Sequence, residues 1–185
     1  MANNCFFEMT ITFADQDDAK TCYNLLMQRK IVADKKGEGF RFGPKEQYLF
    51  DTDITKTAPN ELYLEGWVKW GFDNDAFAWF FEEAIEDGWS ITECVCKYHE
   101  PMNLFYGELH YDGSLQVLTD QHVKSSYMDT FYEAASEEEQ ESDDWFDKLI
   151  RVAFKAPDEY WELEVEYQFE PLTRKVPNEE AQVLS

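Results

Sequence analysis

The chain has 185 residues, enough to bury a sizeable core, and one domain is the default at that length. Its 15 Phe, 10 Tyr and 6 Trp exclude a disordered chain, and 16 basic against 39 acidic residues, a formal charge of −23, exclude binding to nucleic acid by phosphate neutralisation. No apolar run approaches the ~20 residues of a membrane span, and no basic-then-apolar leader stands at the N-terminus, so the expected location is the cytoplasm of a host cell.

Cys5 to Phe13 alternates, with Phe7, Met9, Ile11 and Phe13 on one face, and is predicted as the first strand. Asp15 is a candidate N-cap, and Ala19, Cys22, Tyr23 and Leu26 mark an amphipathic helix to about Arg29. Residues 31–60 show the weakest pattern, punctuated by Gly37, Gly39, Gly43 and Pro44, with short strands expected at Phe40–Phe42 and Tyr48–Phe50. Gly37 and Gly39 form no phosphate loop, because the further glycine and the Lys-Ser/Thr are missing.

Residues 61–118 are the predicted centre. Leu62, Leu64, Val68, Trp70 and Phe72 share one face of a strand, and Tyr63, Glu65, Trp67 and Lys69 the other. Asp73 or Asn74 caps a helix whose Phe77, Phe80, Phe81, Ala84 and Ile85 recur at helical spacing, and Gly88 suits its left-handed end. That aromatic stripe reads as core rather than as a ligand box. Strands follow at Trp89–His99, Met102–Tyr111 and Ser114–Thr119, with Asp112-Gly113 signalling a two-residue hairpin.

Tyr98-His99-Glu100-Pro101, then Phe105-Tyr106-Gly107, then Tyr111-Asp112-Gly113 form a series of aromatic and glycine packing signals. In these the middle third of the chain resembles the YubB-type ferredoxin-like domain of plasmids and phages, although Pro101 stands where that family has Gly. The resemblance implies an α+β fold, a ferredoxin-like antiparallel sheet with helices packed on one face, and a mobile-element origin. It implies no catalytic residues.

Beyond the centre, Lys124–Ala135 reads as a helix on Tyr127, Met128, Phe131 and Tyr132. An acidic run follows, Glu137, Glu138, Glu139, Glu141, Asp143, Asp144 and Asp147. Helical spacing resumes at Trp145, Phe146, Leu149, Ile150, Ala153 and Phe154, as one bent helix or two, ended by Pro157. The run lacks the alternating oxygen ligands and central Gly of a calcium loop. The last strand, Tyr160–Phe169, is expected to put Trp161, Leu163, Val165, Tyr167 and Phe169 on one face and Glu162, Glu164 and Glu166 on the other. Like charges in such a row, ~6.7 Å apart, repel one another, and ~6.7 Å also spans two base steps of a DNA strand. The row reads equally as a solvated face or as an imitation of backbone charge. The single expected domain covers residues 1–171, and residues 172–185 read as a tail.

Cys5, Cys22, Cys94 and Cys96 are expected as reduced thiols. Cys94 and Cys96 share a strand face and His99 the opposite one, which is poor zinc geometry, so no metal and no cofactor is expected. No nucleophile elbow, His-Glu-x-x-His or Walker loop is present. His110 with Glu108 on its strand face is a pair found in many non-enzymes, and Asp143 and Asp144 diverge on a helix, so no catalytic residue is expected.

A charge of −23 far exceeds the magnitude of about 2–8 that keeps a small domain soluble, and self-repulsion on that scale destabilises the compact state. It favours a basic partner. An acidic proteome of the halophile kind is the alternative, opposed by the aromatics and by Lys30, Lys35 and Lys36. The expected function is a non-enzymatic inhibitor of phage or plasmid origin. It would occupy the nucleic-acid channel of a basic host protein, such as a CRISPR effector or restriction complex, through the acidic run and the last strand's glutamates. An immunity protein for a basic nuclease toxin follows the same charge logic. An accessory domain with incidental charge is the third alternative.

Overall fold

The computed structural model describes residues 4–43, 48–69, 71 and 73–170. It is a mixed α+β fold with one antiparallel sheet of eight strands in the order β2-β3-β4-β1-β5-β6-β7-β8. The strands are β1 (Asn4–Phe13), β2 (Phe40–Arg41), β3 (Tyr48–Ala58), β4 (Glu61–Lys69), β5 (Ile91–Glu100), β6 (Phe105–Asp112), β7 (Val117–Val123) and β8 (Trp161–Gln168). Helix α1 (Gln16–Asp34) connects β1 to β2, and α2 (Asn74–Glu86) connects β4 to β5. Between β7 and β8 lie α3 (Ser125–Ala134), α4 (Glu137–Gln140) and α5 (Trp145–Ala153).

The sequence starts both crossover helices in the same way. The Asp15 carboxylate accepts the Asp17 amide at 2.7 Å, and the Asp73 carboxylate accepts those of Asp75 and Ala76. Gly88, at φ 74°, ends the second helix, and its amide reaches the Ile85 carbonyl. Both helices cover one face of the sheet, here the inner face. Phe7, Met9 and Ile11 of β1 lie there with Leu62 and Leu64 of β4 and Cys94, Cys96 and Tyr98 of β5. Phe77, Phe80 and Phe81 of α2 fill the space above them, and Phe42 stacks on Phe80 at 4.1 Å.

Three expectations are corrected. Helices cover both faces: Met128, Trp145, Leu149 and Ala153 of α3 and α5 pack on Tyr106 and Val123, which point to the outer face. The sheet is larger than the ferredoxin-like sheet that the resemblance implies, because β5 to β8 continue as an antiparallel meander. The turn after Asp112 is longer than two residues. The Asp112 carboxylate accepts the Ser114 and Leu115 amides, and Gln116 takes the positive φ of 50°. Gly113 is needed there for closeness, since a Cβ would stand 2.0 Å from the Ile91 carbonyl oxygen.

Boundaries also move. Helix α1 runs five residues past Arg29. β3 extends to Ala58, where few apolar residues mark it: only Leu49, Thr52 and Ile54 of its 11 residues are buried. The third helical stretch divides into three pieces at an extended Ala135 and again before Trp145. Pro44, Trp70, Phe72 and residues 172–185 lie outside the described residues. No helix among the described residues is long and apolar enough to cross a membrane.

Candidate functional site

The acidic run is partly consumed by its own fold. Ser136 and Glu139 form a capping box at the start of α4, and Glu139 also accepts Lys148 at 3.0 Å. Those bonds hold the Glu139 carboxyl below the usual range, with Lys148 the larger cause. Glu137, Glu138 and Glu141 are exposed, as are Asp143 and Asp144 before α5 and Asp147 in its first turn. Acidic side chains in first turns face unpaired amides, so part of this charge stabilises helix starts. Lys148, Arg151 and Lys155 line a shallow groove between α3 and α5 with Asp144, so the run is not a continuous anionic surface.

The last strand differs from its expected pattern. Thr119 stands opposite Glu166 and Asp120 opposite Val165, but Gln121 stands opposite Leu163 and His122 opposite Glu162. Glu164 is the extra residue of a β-bulge, and a bulge reverses which face the following residues take. Glu162 and Glu164 therefore lie toward the inner face, 3.9 and 3.6 Å from the His122 ring nitrogens. Glu166 lies on the outer face. The expected row of three glutamates is split between two faces, and Trp161 and Leu163 part from Val165 and Tyr167 in the same way.

That bulge brings together a cluster the sequence did not announce. Asp120 is only 2% exposed; it accepts the Tyr98 hydroxyl at 2.6 Å and the Asn74 side chain at the start of α2. Burial pushes its carboxyl up to about 6, Glu164 adds to the rise, and Tyr98, Asn74 and His122 oppose it. Burial and the same carboxylate push the Tyr98 hydroxyl up. Tyr167 of β8 donates to Asp75 of α2 beside it. Asp120 is sealed under these groups, so its place is in holding β7, β5 and α2 together rather than in meeting a solvent-borne substrate.

The cysteines and histidines sit apart. Cys94 and Cys96 are buried on the inner face, and burial pushes both thiols up; Cys5 and Cys22 rise to about 12 for the same reason. His99 is on the outer face between the rings of Phe6 and Tyr106, at 5.6 and 6.4 Å. Glu108 meets His110 at 2.7 Å and Lys97 at 3.5 Å. Burial raises the Glu108 carboxyl, but those two partners outweigh it and hold it below the usual range.

The outer face divides in two. Over the end of β6 to β8 that carries Tyr106, Val123 and Trp161 it is covered by α3 and α5. Over β3, β4 and β1 no described element covers it. There Asp53 stands opposite Glu65 and Glu65 opposite Glu8, three carboxylates side by side on adjacent strands. Beside them Phe50 stands opposite Trp67 and Trp67 opposite Phe6. Alternation places each of these residues on a polar strand face, but only the register between strands aligns them.

Comparison with protein-family models, curated proteins and solved structures finds no match. The site is therefore read from its own chemistry. Among the described residues, Lys and Arg ion pairs take up four carboxylates, those of Asp34, Glu83, Glu108 and Glu139, and the His122 ring lies within 4 Å of Glu162 and Glu164. Most of the 39 acidic residues in the chain have no such partner among the described residues.

Proposed function

We propose that the chain is a non-enzymatic acidic protein that binds a basic nucleic-acid-handling protein in place of its nucleic acid. An inhibitor of phage or plasmid origin, acting on a CRISPR effector or restriction complex in a host cytoplasm, fits this reading. The observation that carries it is the excess of carboxylates, −23 overall, on a closely packed sheet whose own cations neutralise few of them. A chain evolved only to fold would lower its self-repulsion. The order β3-β4-β1-β5, with both crossover helices on one face, supports a ferredoxin-like unit extended by β6 to β8.

The candidate surface includes Glu137, Glu138, Glu141, Asp143, Asp144 and Asp147, with Glu162 and Glu164 apart from it on the inner side and Glu166 on the outer. Capture from a host lysate, followed by competition, tests the reading. The expected result is a basic nucleic-acid-binding protein that nucleic acid displaces, with association slowing as salt rises through the range where the Debye length is ~10 to ~8 Å. Replacing Glu137, Glu138 and Glu141 by Gln, and leaving Glu139 in its capping box, should weaken that complex. A partner that holds nucleic acid and this chain together, or whose affinity ignores salt, would sink the proposal.

A further inference from the structure

We infer that the uncovered part of the outer sheet face, over β3, β4 and β1, is a docking surface for an arginine-bearing segment of a protein partner. The surface has two rows. In one, Phe50 stacks on Trp67 at 4.6 Å with the rings 15° apart, and Phe6, 43% exposed, follows on the next strand. In the other, Asp53, Glu65 and Glu8 stand directly opposite one another across three strands. Each row runs perpendicular to the strands, with neighbours ~4.8 Å apart.

The rings are held from beneath and from the side. Asp51 takes a left-handed φ of 43° at a bulge in β3, and its carboxylate accepts the Trp67 indole N–H at 2.9 Å. Asp tolerates that backbone better than most residues, and the bond fixes the indole plane. Gly66 lets the bulge pass, since a Cβ there would stand 2.7 Å from Thr52 Oγ1 and 2.8 Å from the Phe50 carbonyl oxygen. Lys69 places its ammonium 5.0 Å from the centre of the Phe50 ring, so one end of the aromatic row already receives a cation.

The carboxylate row is the reverse of what a sheet needs for itself. Like charges directly opposite on adjacent strands destabilise the pair. Lys97, opposite Glu8, is committed to Glu108 at 3.5 Å, and no cationic nitrogen among the described residues lies within 4 Å of Glu8, Glu65 or Asp53. Tyr63 donates to Glu65 at 3.0 Å, and its own hydroxyl is pushed up to about 12 by burial, that bond and Glu8.

These features select the partner's chemistry. A guanidinium presents a flat face that stacks on an aromatic ring and a rigid fork that pairs bidentately with carboxylates; an ammonium is a compact point charge that lacks both the flat face and the fork. An arginine lying across the strands would rest on Trp67 and Phe6 and pair with Glu65 and Glu8. Nucleic acid could stack its bases on exposed sheet aromatics, but its phosphates would meet the carboxylates. The inference goes beyond the proposed function, whose acidic run lies elsewhere, and names a second surface with its own occupant.

The test titrates the full-length protein with a short alternating Gly-Arg peptide, its Gly-Lys counterpart and a single-stranded oligonucleotide. It reads the indole N–H resonance of Trp67, assigned through Trp67→Phe. The Gly-Arg peptide should shift that resonance and bind at least about five-fold more tightly than the Gly-Lys peptide. Glu8→Gln with Glu65→Gln should weaken Gly-Arg binding about ten-fold or more, with the spectrum otherwise native. Replacing Glu137, Glu138 and Glu141 should leave it within about two-fold. Equal affinity for the two peptides, indifference to Glu8 and Glu65, or a Trp67 shift with the oligonucleotide instead would overturn the inference. A nucleic-acid-displaceable host partner whose binding ignores Glu8 and Glu65 would leave the proposed function standing and remove this surface. Arginine binding here with no nucleic-acid competition in a lysate would do the opposite.

Discussion

The outer face carries two regions, built from different strands of one sheet, with opposite solutions. Over β6 to β8, Tyr106, Val123 and Trp161 are apolar and receive α3 and α5. Over β3, β4 and β1, the face alternates aromatic and carboxylate rows and receives nothing among the described residues. Covering a sheet face stabilises by about 25 cal/mol per Å² of apolar surface buried, so a region that keeps Phe6 43% exposed forgoes that gain. The first region is made to close the fold, whereas the second keeps a face open at some cost to stability.

The largest expected effect separates the two apolar clusters. Phe80→Ala, in the inner cluster, should cost about 3–5 kcal/mol and lower hydrogen-exchange protection throughout the sheet. Leu149→Ala, in the outer cluster, should cost about 2–5 kcal/mol while loosening α3 to α5 more than β1, β4 and α2. Equal loss of protection everywhere in both variants would show that the outer cluster is no separate unit.

Asp120 supplies the next effect. Its folded carboxyl titrates near 6, above the ordinary 3.8, so the folded state holds the proton more tightly than the unfolded chain. Ionised Asp120 therefore costs stability above pH ~6, and that cost is relieved as pH falls from ~6 to ~4, by about 2–3 kcal/mol. Denaturant unfolding at several pH values should show Asp120→Asn losing this acid-side gain. An Asn variant with the wild-type pH profile would place the titration elsewhere. A smaller effect is expected at Tyr106, buried in the outer cluster with no hydrogen-bond partner for its hydroxyl among the described residues. Tyr106→Phe should stabilise by about 1 kcal/mol, measured by the same unfolding. A loss of similar size would mean that the hydroxyl has a partner, such as an ordered water.

Much of the inner half was legible because its signals are local. The Asp15 and Asp73 caps, the Phe77–Phe81 stripe, Gly88 and the alternation of β1 each act within a few residues. The outer half was not, because its determinants join distant residues. The bulge at Glu164 is set by pairing with β7 and reverses the glutamate row that strict alternation predicts. The row of Asp53, Glu65 and Glu8 draws on three strands, and no single segment of sequence contains it. Nothing in the sequence sets Asp120 apart from the other acidic residues, and only its buried place under α2 marks it. Composition foretold a carboxylate-rich surface, but not which strands would align the charges.

The smallest predicted effect tests whether that alignment strains the sheet. Glu65 opposes both Glu8 and Asp53, so Glu65→Gln relieves two repulsive pairs and Glu8→Gln relieves one. Each exposed cross-strand pair of like charge costs a few tenths of a kcal/mol, screened by salt. Both variants should therefore be slightly more stable than the wild type at low salt, Glu65→Gln the more so. Their gains should not add, because removing either charge abolishes the repulsion between Glu8 and Glu65, and the double variant should fall short of the sum by that shared pair. The gains should shrink toward zero in ~1 M salt, where the Debye length is ~3 Å. The opposite sign is expected at Glu138, whose negative charge in the first turn of α4 is favourable there, so that neutralising it should cost a few tenths of a kcal/mol. Additive gains at Glu8 and Glu65 would mean that the two side chains do not meet across β1 and β4. Loss of stability on neutralising Glu65 would mean that its bond from Tyr63 outweighs both repulsions.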